Sequence, residues 1–350
     1  MPESDIRINP DELKTFTKEV FVKLGVSPDD AGIESEHLVW ANLRGVDSHG
    51  VLRIPYYVDQ IEQGIINPNP KISVKNETPA TILVDGDMAL GPVVTTKTMT
   101  KVIEKAKNIG VGWGILRNTT HQGCMGYYSM MASETNMAGI AVVCSPPNMA
   151  PHGAKAAGTH NAPISIAVPG EKYPSLVIDM ATSVAAGGKV KLAADKGISI
   201  PLGWALDQDG NPSTDPNSAP ILLPFGGPKG SGLAIMFECL TGIMAGNPLQ
   251  SPVLMGKRGP EHGPQNGFLA AIDIATFTDV HGYKKNVDDL IDGIKGLPKA
   301  DGVDEIFVPG EPEGRVYLDR SENGIPLPGG TISKLKDVAG KLSIQVPSNM

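Results

Sequence analysis

Apolar residues near the start of the chain recur every three or four positions, a spacing that predicts amphipathic helices. Asn9 followed by Pro10 is typical of a helix start, and Gly25 of a helix end. A second start signal at residues 27–30 predicts a helix to about residue 43. A third helix is predicted from about Ser48 to Gly64. The stripe of the first helix is Leu13, Phe16, Val20, Phe21 and Leu24.

Beyond residue 70 the pattern changes to short apolar runs that alternate with helical periodicity. The runs predict strands at residues 81–85, 112–116, 139–144, 164–168, 176–179, 268–272 and 305–308. Helices are predicted at residues 92–107, 125–137, 230–245, 286–294, 311–320 and 331–342. This alternation predicts an α/β fold with a mixed sheet.

The charge balance restricts the partners of the chain. Lys+Arg 30 and Asp+Glu 38 give a formal net charge of −8 over 350 residues. This excess of acidic residues argues against nucleic acid or an anionic membrane as a partner. A small anionic substrate would need a local cationic site, so individual arginines and lysines are candidates for binding it.

The cysteines and the apolar runs bear on the compartment. The chain has 3 cysteines, widely spaced and without a Cys-x-x-Cys pair, which fits a reducing cytosol. The first residues are polar and acidic, unlike the apolar core of a signal peptide. The longest apolar run, residues 233–245, is interrupted by Glu238 and is too short to span a bilayer. We therefore expect a cytoplasmic protein without a membrane partner.

The segment from Gly45 to Arg53 combines an acid, a hydroxyl, an imidazole and a guanidinium. Its Asp47-Ser48 pair has the character of a helix start, where unpaired N–H groups can bind anions. Arg53, one turn further on, could hold a carboxylate with two parallel hydrogen bonds. The alternative is a capped surface helix without a ligand.

His121 lies on a polar loop between a predicted strand and a predicted helix, where α/β proteins often build their sites. Because histidine titrates near neutrality, it could exchange a proton with a substrate oxygen. The alternative is a loop histidine that caps the following helix.

Residues 225–232 form a glycine-rich loop that contains Lys229 and runs into a helix, as a phosphate site would. The order of residues is not that of a Walker A loop, and no Gly-x-Gly-x-x-Gly occurs, so a standard Rossmann fold is not predicted. The alternative is a tight loop with a solvated lysine.

Asp179, at a predicted strand end, could accept a ribose hydroxyl or cap a helix. His152 and His160 lack the spacing of metal ligands, and we predict no metal site.

Together, five ordered motifs resemble the malate/L-lactate dehydrogenase family, whose members lack the Rossmann fold. The resemblance extends from the first helix to about Gly310. It rests on Asp47-Ser48-His49-Gly50 with Arg53 and Tyr57, Thr120-His121-Gln122-Gly123, Asp179-Met180-Ala181-Thr182, Ile200-Pro201-Leu202-Gly203-Trp204-Ala205, and Gly227-Pro228-Lys229-Gly230.

The resemblance implies roles for individual residues. His121 matches the catalytic acid/base, and Arg53 the group that binds the substrate carboxylate, with Ser48, His49 and Tyr57 beside it. The cofactor, NAD or NADP, would contact Ser145, Asp179, Met180, Ala181, Lys229, Gly310, Glu311 and Pro312.

The resemblance also implies an architecture. Residues 1–78 would form a helical region with the substrate motif, 79–250 a non-Rossmann α/β cofactor domain, and 251–350 a region that packs on the N-terminal helices. Members of the family are usually homodimers. One departure from the family pattern lies at Gly158–Pro163, which is two residues longer than in many relatives and leaves the choice between NAD and NADP open.

The expected activity is hydride transfer between a nicotinamide cofactor and C2 of a small 2-hydroxy or 2-oxo acid. An alternative within the same fold is reduction of a cyclic imino acid such as Δ1-piperideine-2-carboxylate. A more distant alternative is a metal-dependent hydrolase that uses His49, His121 and Asp47. The last alternative is a phosphate-binding module without catalytic activity.

Overall fold

The computed structural model describes residues 6–195, 197–257 and 263–350. The helices are α1 (Pro10–Lys23), α2 (Pro28–Leu43), α3 (Ile54–Glu62), α4 (Gly91–Ile109), α5 (Met125–Ser133), α6 (Gly187–Asp195), α7 (Pro228–Glu238), α8 (Ser251–Leu254), α9 (Val280–Lys295), α10 (Glu311–Asn323) and α11 (Gly329–Leu342). The strands are β1 (Ile6–Ile8), β2 (Ser73–Glu77), β3 (Thr81–Asp85), β4 (Val111–Thr119), β5 (Met137–Cys144), β6 (Ile164–Val168), β7 (Leu176–Met180), β8 (Ala205–Leu206), β9 (Pro212–Ser213), β10 (Ile221–Leu222), β11 (Gln265–Asp273) and β12 (Ile325–Leu327). Within the described residues, no helix is both long and apolar enough to cross a lipid bilayer.

A seven-stranded mixed sheet in the order β2-β3-β4-β11-β5-β6-β7 forms the centre of the fold. β3 and β4 pair in parallel, whereas the other neighbours are antiparallel. Side chains alternate between the two faces of each strand. One face packs on α4 and α5, and the other on Phe237 and Ala245 near α7. The predicted α/β class with a mixed, non-Rossmann sheet is confirmed.

The helical region is built from both ends of the chain. α1 begins as predicted, because the Asn9 Oδ1 accepts hydrogen bonds from the N–H groups of Asp11 and Glu12 at 2.8 and 3.2 Å. β1 pairs with β12, which joins the first described residues to the last part of the chain. A single apolar cluster contains the buried faces of α1, α2, α3 and α11.

The structure differs from three predictions made from the sequence. Residues 265–273 form β11 in the middle of the central sheet and residues 73–77 form its edge strand β2, so the boundaries at 78/79 and 250/251 do not delimit the sheet. Residues 305–308 form no strand, since the Ile306 carbonyl accepts from the Lys295 Nζ and the Val308 N–H donates to the Glu311 carboxylate. The helix predicted at 230–245 begins at Pro228 and continues as a π-helical turn at Cys239–Ile243.

Candidate active site

The motif around Ser48 and Arg53 is not the start of an α-helix, as the sequence suggested. Asp47–His49 and Val51–Arg53 form two short 3₁₀ turns, and α3 begins at Ile54. No side-chain capping bond occurs at either turn. The motif therefore presents side chains rather than the N-terminal N–H groups of a helix.

Contacts to α2 hold these two turns. The Asn42 Oδ1 accepts from the Val51 N–H at 2.8 Å, and the Asn42 Nδ2 donates to Asp47 at 2.6 Å. A Cβ at Gly50 would lie 2.1 Å from the Asn42 Oδ1, so a glycine is needed at this close approach. The Arg320 guanidinium on α10 donates to both Asp47 carboxylate oxygens, at 2.6 and 3.1 Å. Asp47 thus anchors the motif to the C-terminal segment.

His121 contacts this motif from the sheet side. Its Nδ1 lies 2.6 Å from the hydroxyl oxygen of Tyr57, which is 1% exposed. The His49 ring stacks on the His121 ring at a centroid distance of 5.4 Å and an interplanar angle of 22°. The Ser48 Oγ in turn lies 2.9 Å from the His49 Nδ1. The structure thus brings together four of the residues to which the resemblance gave substrate or catalytic roles.

Arg53 completes the group. Its Nε donates to the Ser48 carbonyl at 2.7 Å, which fixes the side chain beside the two histidines. Burial, and then the Arg53 charge, lower the pKa of His49 to about 4. The same two causes, in the same order, lower the pKa of His121 well below its ordinary value. Both imidazoles are therefore neutral at pH 7, and Arg53 is the cation beside them.

The predicted cofactor residues follow strand ends at one edge of the sheet. β4, β5 and β7 all run in the same direction, because β11 lies antiparallel between β4 and β5, and β6 between β5 and β7. His121, Ser145 and Asp179 lie at or just beyond the carboxyl ends of these three strands. Such an edge is where α/β sheets bind ligands.

Asp179 connects this edge to the His121 loop. Its Oδ2 accepts from the Gly126 N–H in the first turn of α5 at 2.7 Å. Desolvation raises the pKa of the Asp179 carboxyl to about 6 against the opposing effect of the Gly126 bond, although part of the residue is exposed.

Gly310 lies against the same strand as Asp179. A Cβ at Gly310 would lie 3.1 Å from the Val177 carbonyl, and the Val177 N–H donates to the Pro309 carbonyl at 3.1 Å. Pro312 is exposed, and Met180 and Ala181 are partly buried at the end of β7. The Gly310–Pro312 stretch and β7 are therefore neighbours.

Glu311 differs from its neighbours because its carboxylate is already engaged. It forms ion pairs with Lys295 and Arg315, each with a shortest N–O distance of 2.7 Å, and accepts from the Val308 N–H. A contact from Glu311 to a cofactor would therefore come from its backbone.

The glycine-rich loop differs from its sequence-based interpretation. The Lys229 N–H donates to the Gly226 carbonyl at 3.3 Å and the Gly230 N–H to the Phe225 carbonyl at 2.9 Å, so the first N–H groups of α7 are used within the turn. The Lys229 side chain is exposed, and no carboxylate of the described residues forms an ion pair with it. The ammonium group of Lys229, rather than the helix terminus, is thus the group of this loop that is free to meet an anion.

The loop at 158–163 is rigidly bonded. Asn161 exchanges two hydrogen bonds with Asn148, at 2.8 and 3.0 Å, and its carbonyl accepts from the Thr182 N–H. His160 is 8% exposed, accepts from the Ala162 N–H at 3.1 Å, and interacts electrostatically with His121. The residues by which this chain departs from the family pattern therefore lie near the catalytic candidate.

Three residues near the site were missed by the sequence interpretation. Glu34 and His37 are fully buried on α2, where His37 accepts from the Cys124 N–H, and Arg44, which caps the end of α2, donates to the Gly310 carbonyl at 3.4 Å. Glu34 and His37 are three residues apart and share one face of α2, but nothing in the sequence shows that this face is buried.

Within the described residues, no group of three or more His, Cys, Asp and Glu side chains is arranged to hold a metal ion. The described residues at the sheet edge offer instead a permanent cation, a carboxyl group and a hydroxyl at Lys229, Asp179 and Ser145. This donor set fits the phosphates and ribose hydroxyls of a dinucleotide. The fold and this donor set point to the class of dinucleotide-dependent oxidoreductases.

Comparison with known proteins identifies the family. A family model described as malate/L-lactate dehydrogenase matches residues 8–336. The chain belongs to the malate/L-lactate dehydrogenase family. It is accordingly a nicotinamide-dependent dehydrogenase that acts on hydroxy acids.

Individual relatives cover nearly the whole chain. An L-sulfolactate dehydrogenase of Methanocaldococcus jannaschii is 40% identical over 342 residues, which is 97% of this chain and 98% of the relative. A malate dehydrogenase of Pyrococcus horikoshii is 38% identical over 356 residues, which is 98% of this chain and 97% of the relative. The crystal structure of a malate dehydrogenase from Entamoeba histolytica superposes with a TM-score of 0.93 at 28% identity, covering 97% of this chain and 99% of that chain.

Proposed function

We propose that this dehydrogenase exchanges a hydride between NAD or NADP and C2 of a small 2-hydroxy or 2-oxo carboxylate, with malate and sulfolactate as the model substrates. The observation that carries the proposal is the contact of the Tyr57–His121 pair with His49 beside the Arg53 guanidinium. It unites a neutral base and a fixed cation, the two groups that oxidation of a 2-hydroxy acid needs.

Arg53 is proposed to bind the substrate carboxylate. Its Nε is used by the Ser48 carbonyl, which leaves the two terminal nitrogens of the guanidinium for a paired hydrogen bond. No carboxylate of the described residues forms an ion pair with it. The bond to Ser48 fixes the side chain in advance and lowers the entropy lost on substrate binding.

His121 is proposed to accept the proton of the substrate hydroxyl at Nε2 in oxidation and to return it in reduction. We assign the Nδ1–H as the donor to the Tyr57 hydroxyl oxygen, which leaves the Nε2 lone pair for the substrate. Burial raises the pKa of Tyr57 well above its ordinary value, so the phenol stays neutral. Tyr57 then orients the ring and stabilises the imidazolium once it forms.

A bound NAD or NADP supplies the hydride chemistry through its nicotinamide ring. Lys229 would bind the phosphates of the dinucleotide, and Asp179 and Ser145 would bind its hydroxyl or amide groups at the sheet edge. Met180, Ala181 and the Gly310–Pro312 backbone would pack against it.

Turnover measured at 340 nm tests the proposal. The panel comprises oxaloacetate, sulfopyruvate, pyruvate and Δ1-piperideine-2-carboxylate, each with NADH and NADPH. We expect a 2-oxo acid to be preferred and His121→Ala to lower kcat by about two orders of magnitude, the usual scale of acid–base help. Near-normal turnover of that variant would remove His121 from the role. A preference for Δ1-piperideine-2-carboxylate would instead identify cyclic imino acids as the substrate class.

We also propose a cytoplasmic homodimer. The three cysteines are free thiols, which suits a reducing compartment. Large apolar side chains are exposed along residues 184–255, and exposed apolar surface of this kind can mark an interface between subunits. They include Val184, Leu192, Leu202, Met236, Met244, Leu254 and Met255. Light scattering should give twice the chain mass, and Met236→Glu should lower it; a monomeric wild type would refute the assembly.

A further inference from the structure

His37 on α2 lies directly against the loop that carries His121. It is 0% exposed, and its Nε2 accepts a hydrogen bond from the Cys124 N–H at 3.1 Å. The ring stacks on Tyr128 at a centroid distance of 5.6 Å and meets Tyr127 edge-on at 5.2 Å. These contacts fix the imidazole on all sides, so it can act as a rigid support for the loop.

The backbone of the loop is fitted to this ring. Gly123 has a φ of +71°, and a Cβ at this position would lie 2.0 Å from the His37 Cε1. Any other residue at 123 would therefore push the loop away from the ring. His121 lies two residues before Gly123, and Gly126, which binds Asp179, lies three residues after it. A shift of the His37 ring would thus move both the catalytic candidate and a predicted cofactor contact.

The contacts with Cys124 bear on the tautomer of His37. The Nε2 lies 3.1 Å from the Cys124 nitrogen and 3.5 Å from the Cys124 carbonyl oxygen, and we assign the shorter contact as an N–H that donates to Nε2. The proton of the neutral ring is then on Nδ1. Among the described residues, the Nδ1 has no hydrogen-bond partner, although it is buried. Such a donor is costly to bury unless it serves another group.

We propose that His37 is a positioning residue for His121, which it supports through the Cys124 N–H and the close approach of Gly123. His37 acts through the loop backbone and does not touch the substrate. This inference rests on the proposed role of His121. It adds that the geometry of the acid–base group is set from α2, outside the pocket.

Two substitutions at His37 test the proposal. His37→Leu removes the acceptor for the Cys124 N–H at similar volume and should lower kcat about tenfold or more, since displacements near 1 Å are that costly, while KM for the 2-oxo acid changes less than about twofold. His37→Gln places an amide oxygen near the former Nε2 and should restore kcat to within about threefold. The control is Tyr127→Phe, which keeps the ring contact with His37. No hydrogen bond from the Tyr127 hydroxyl to the His121 loop is lost, so this variant should behave like the wild type.

The folded state of each variant is checked by circular dichroism and Tm before the kinetics. If the leucine variant does not fold, His37→Met replaces it, because its flexible side chain fills irregular space. Wild-type kcat in a folded apolar variant would overturn the positioning role. So would a glutamine variant as slow as the apolar one, because the acceptor would then not matter.

His121→Ala separates this inference from the proposed function. If that variant is inactive and the His37 variants are normal, only the inference fails; if it is active, the proposed function fails first.

Discussion

Replacing Glu34 by glutamine should stabilise the protein at alkaline pH and have less effect at acidic pH. Glu34 is fully buried on α2, without a hydrogen-bond partner among the described residues, and burial raises its pKa from 4.5 to about 8. An isolated buried carboxylate is costly, so the group stays protonated in the folded protein and ionises in the unfolded chain. Glutamine has nearly the same shape and cannot ionise.

The sign and size follow from proton linkage. Between pH 4.5 and about 8 the unfolded chain binds fewer protons at this position than the folded protein, so the free energy of unfolding falls as the pH rises. The difference of 8 − 4.5 = 3.5 pKa units corresponds to a ceiling of about 5 kcal/mol at 1.36 kcal/mol per unit. Local relaxation reduces such costs, and we take about 2–5 kcal/mol as the pH-dependent part. With an unfolding entropy of about 2.1 cal/mol/K per residue, the wild type should lose about 3–7 °C in Tm relative to the variant between pH 4.5 and pH 8.

Thermal unfolding measured from pH 5 to pH 9 at one protein concentration tests this, since an oligomer makes Tm concentration-dependent. The matched control is Glu36→Gln on the same helix, where the carboxylate is half-exposed and paired with Lys14 at 2.6 Å. Its Tm difference from the wild type should hardly change with pH. A Glu34→Gln curve parallel to that of the wild type across this range would show that Glu34 ionises normally and would refute the reasoning.

Four further outcomes are expected. Tyr57→Phe should lower kcat about ten- to a hundredfold, because it removes a hydrogen bond to a charged imidazolium, and an unchanged kcat in rapid kinetics would contradict that role. Arg53→Lys should raise KM for the 2-oxo acid with a smaller change in kcat, and an unchanged KM would refute the carboxylate contact. The acid limb of kcat/KM in oxidation should lie below pH 6.5, because His121 must be unprotonated and its pKa is lowered; a limb at or above pH 6.5 would argue against it. Arg320→Ala should destabilise the fold by about 1–2 kcal/mol in urea titrations, since it breaks the paired bonds to Asp47, and no loss of stability would show that the anchor is dispensable.

Local signals in the sequence predicted most helices and strands. The Asn9 cap, the apolar stripe of α1 and the buried run of β5 each depend on neighbouring residues, and each agrees with the structure. The order of strands could not be obtained in this way, because β11 pairs with β4 and β5 across more than a hundred residues. Pairing at that separation leaves no periodic trace in the chain.

The candidate site, like the order of strands, could be predicted only in part from the sequence. The roles of His121 and Arg53 could be expected from the family resemblance, but the 3₁₀ geometry of the motif depends on Asn42, which approaches Gly50 from another helix. Glu34 and His37 were missed because polar residues on a helix are ordinarily assigned to its solvent face. Their burial is decided by the packing of α2 on the His121 loop, which tertiary structure alone reveals.

The site joins the two parts of the fold through one short hydrogen bond. His121 follows β4 of the sheet, whereas Tyr57 belongs to α3 of the helical region, and 2.6 Å separates the His121 Nδ1 from the Tyr57 oxygen. Arg53 precedes α3 and depends on the same region for its position. A relative movement of the sheet and the helices would therefore misalign the base and the carboxylate contact together. This explains why the bonds of α10 to Asp47 and the packing of His37 on the loop, both outside the pocket, should affect catalysis as well as stability.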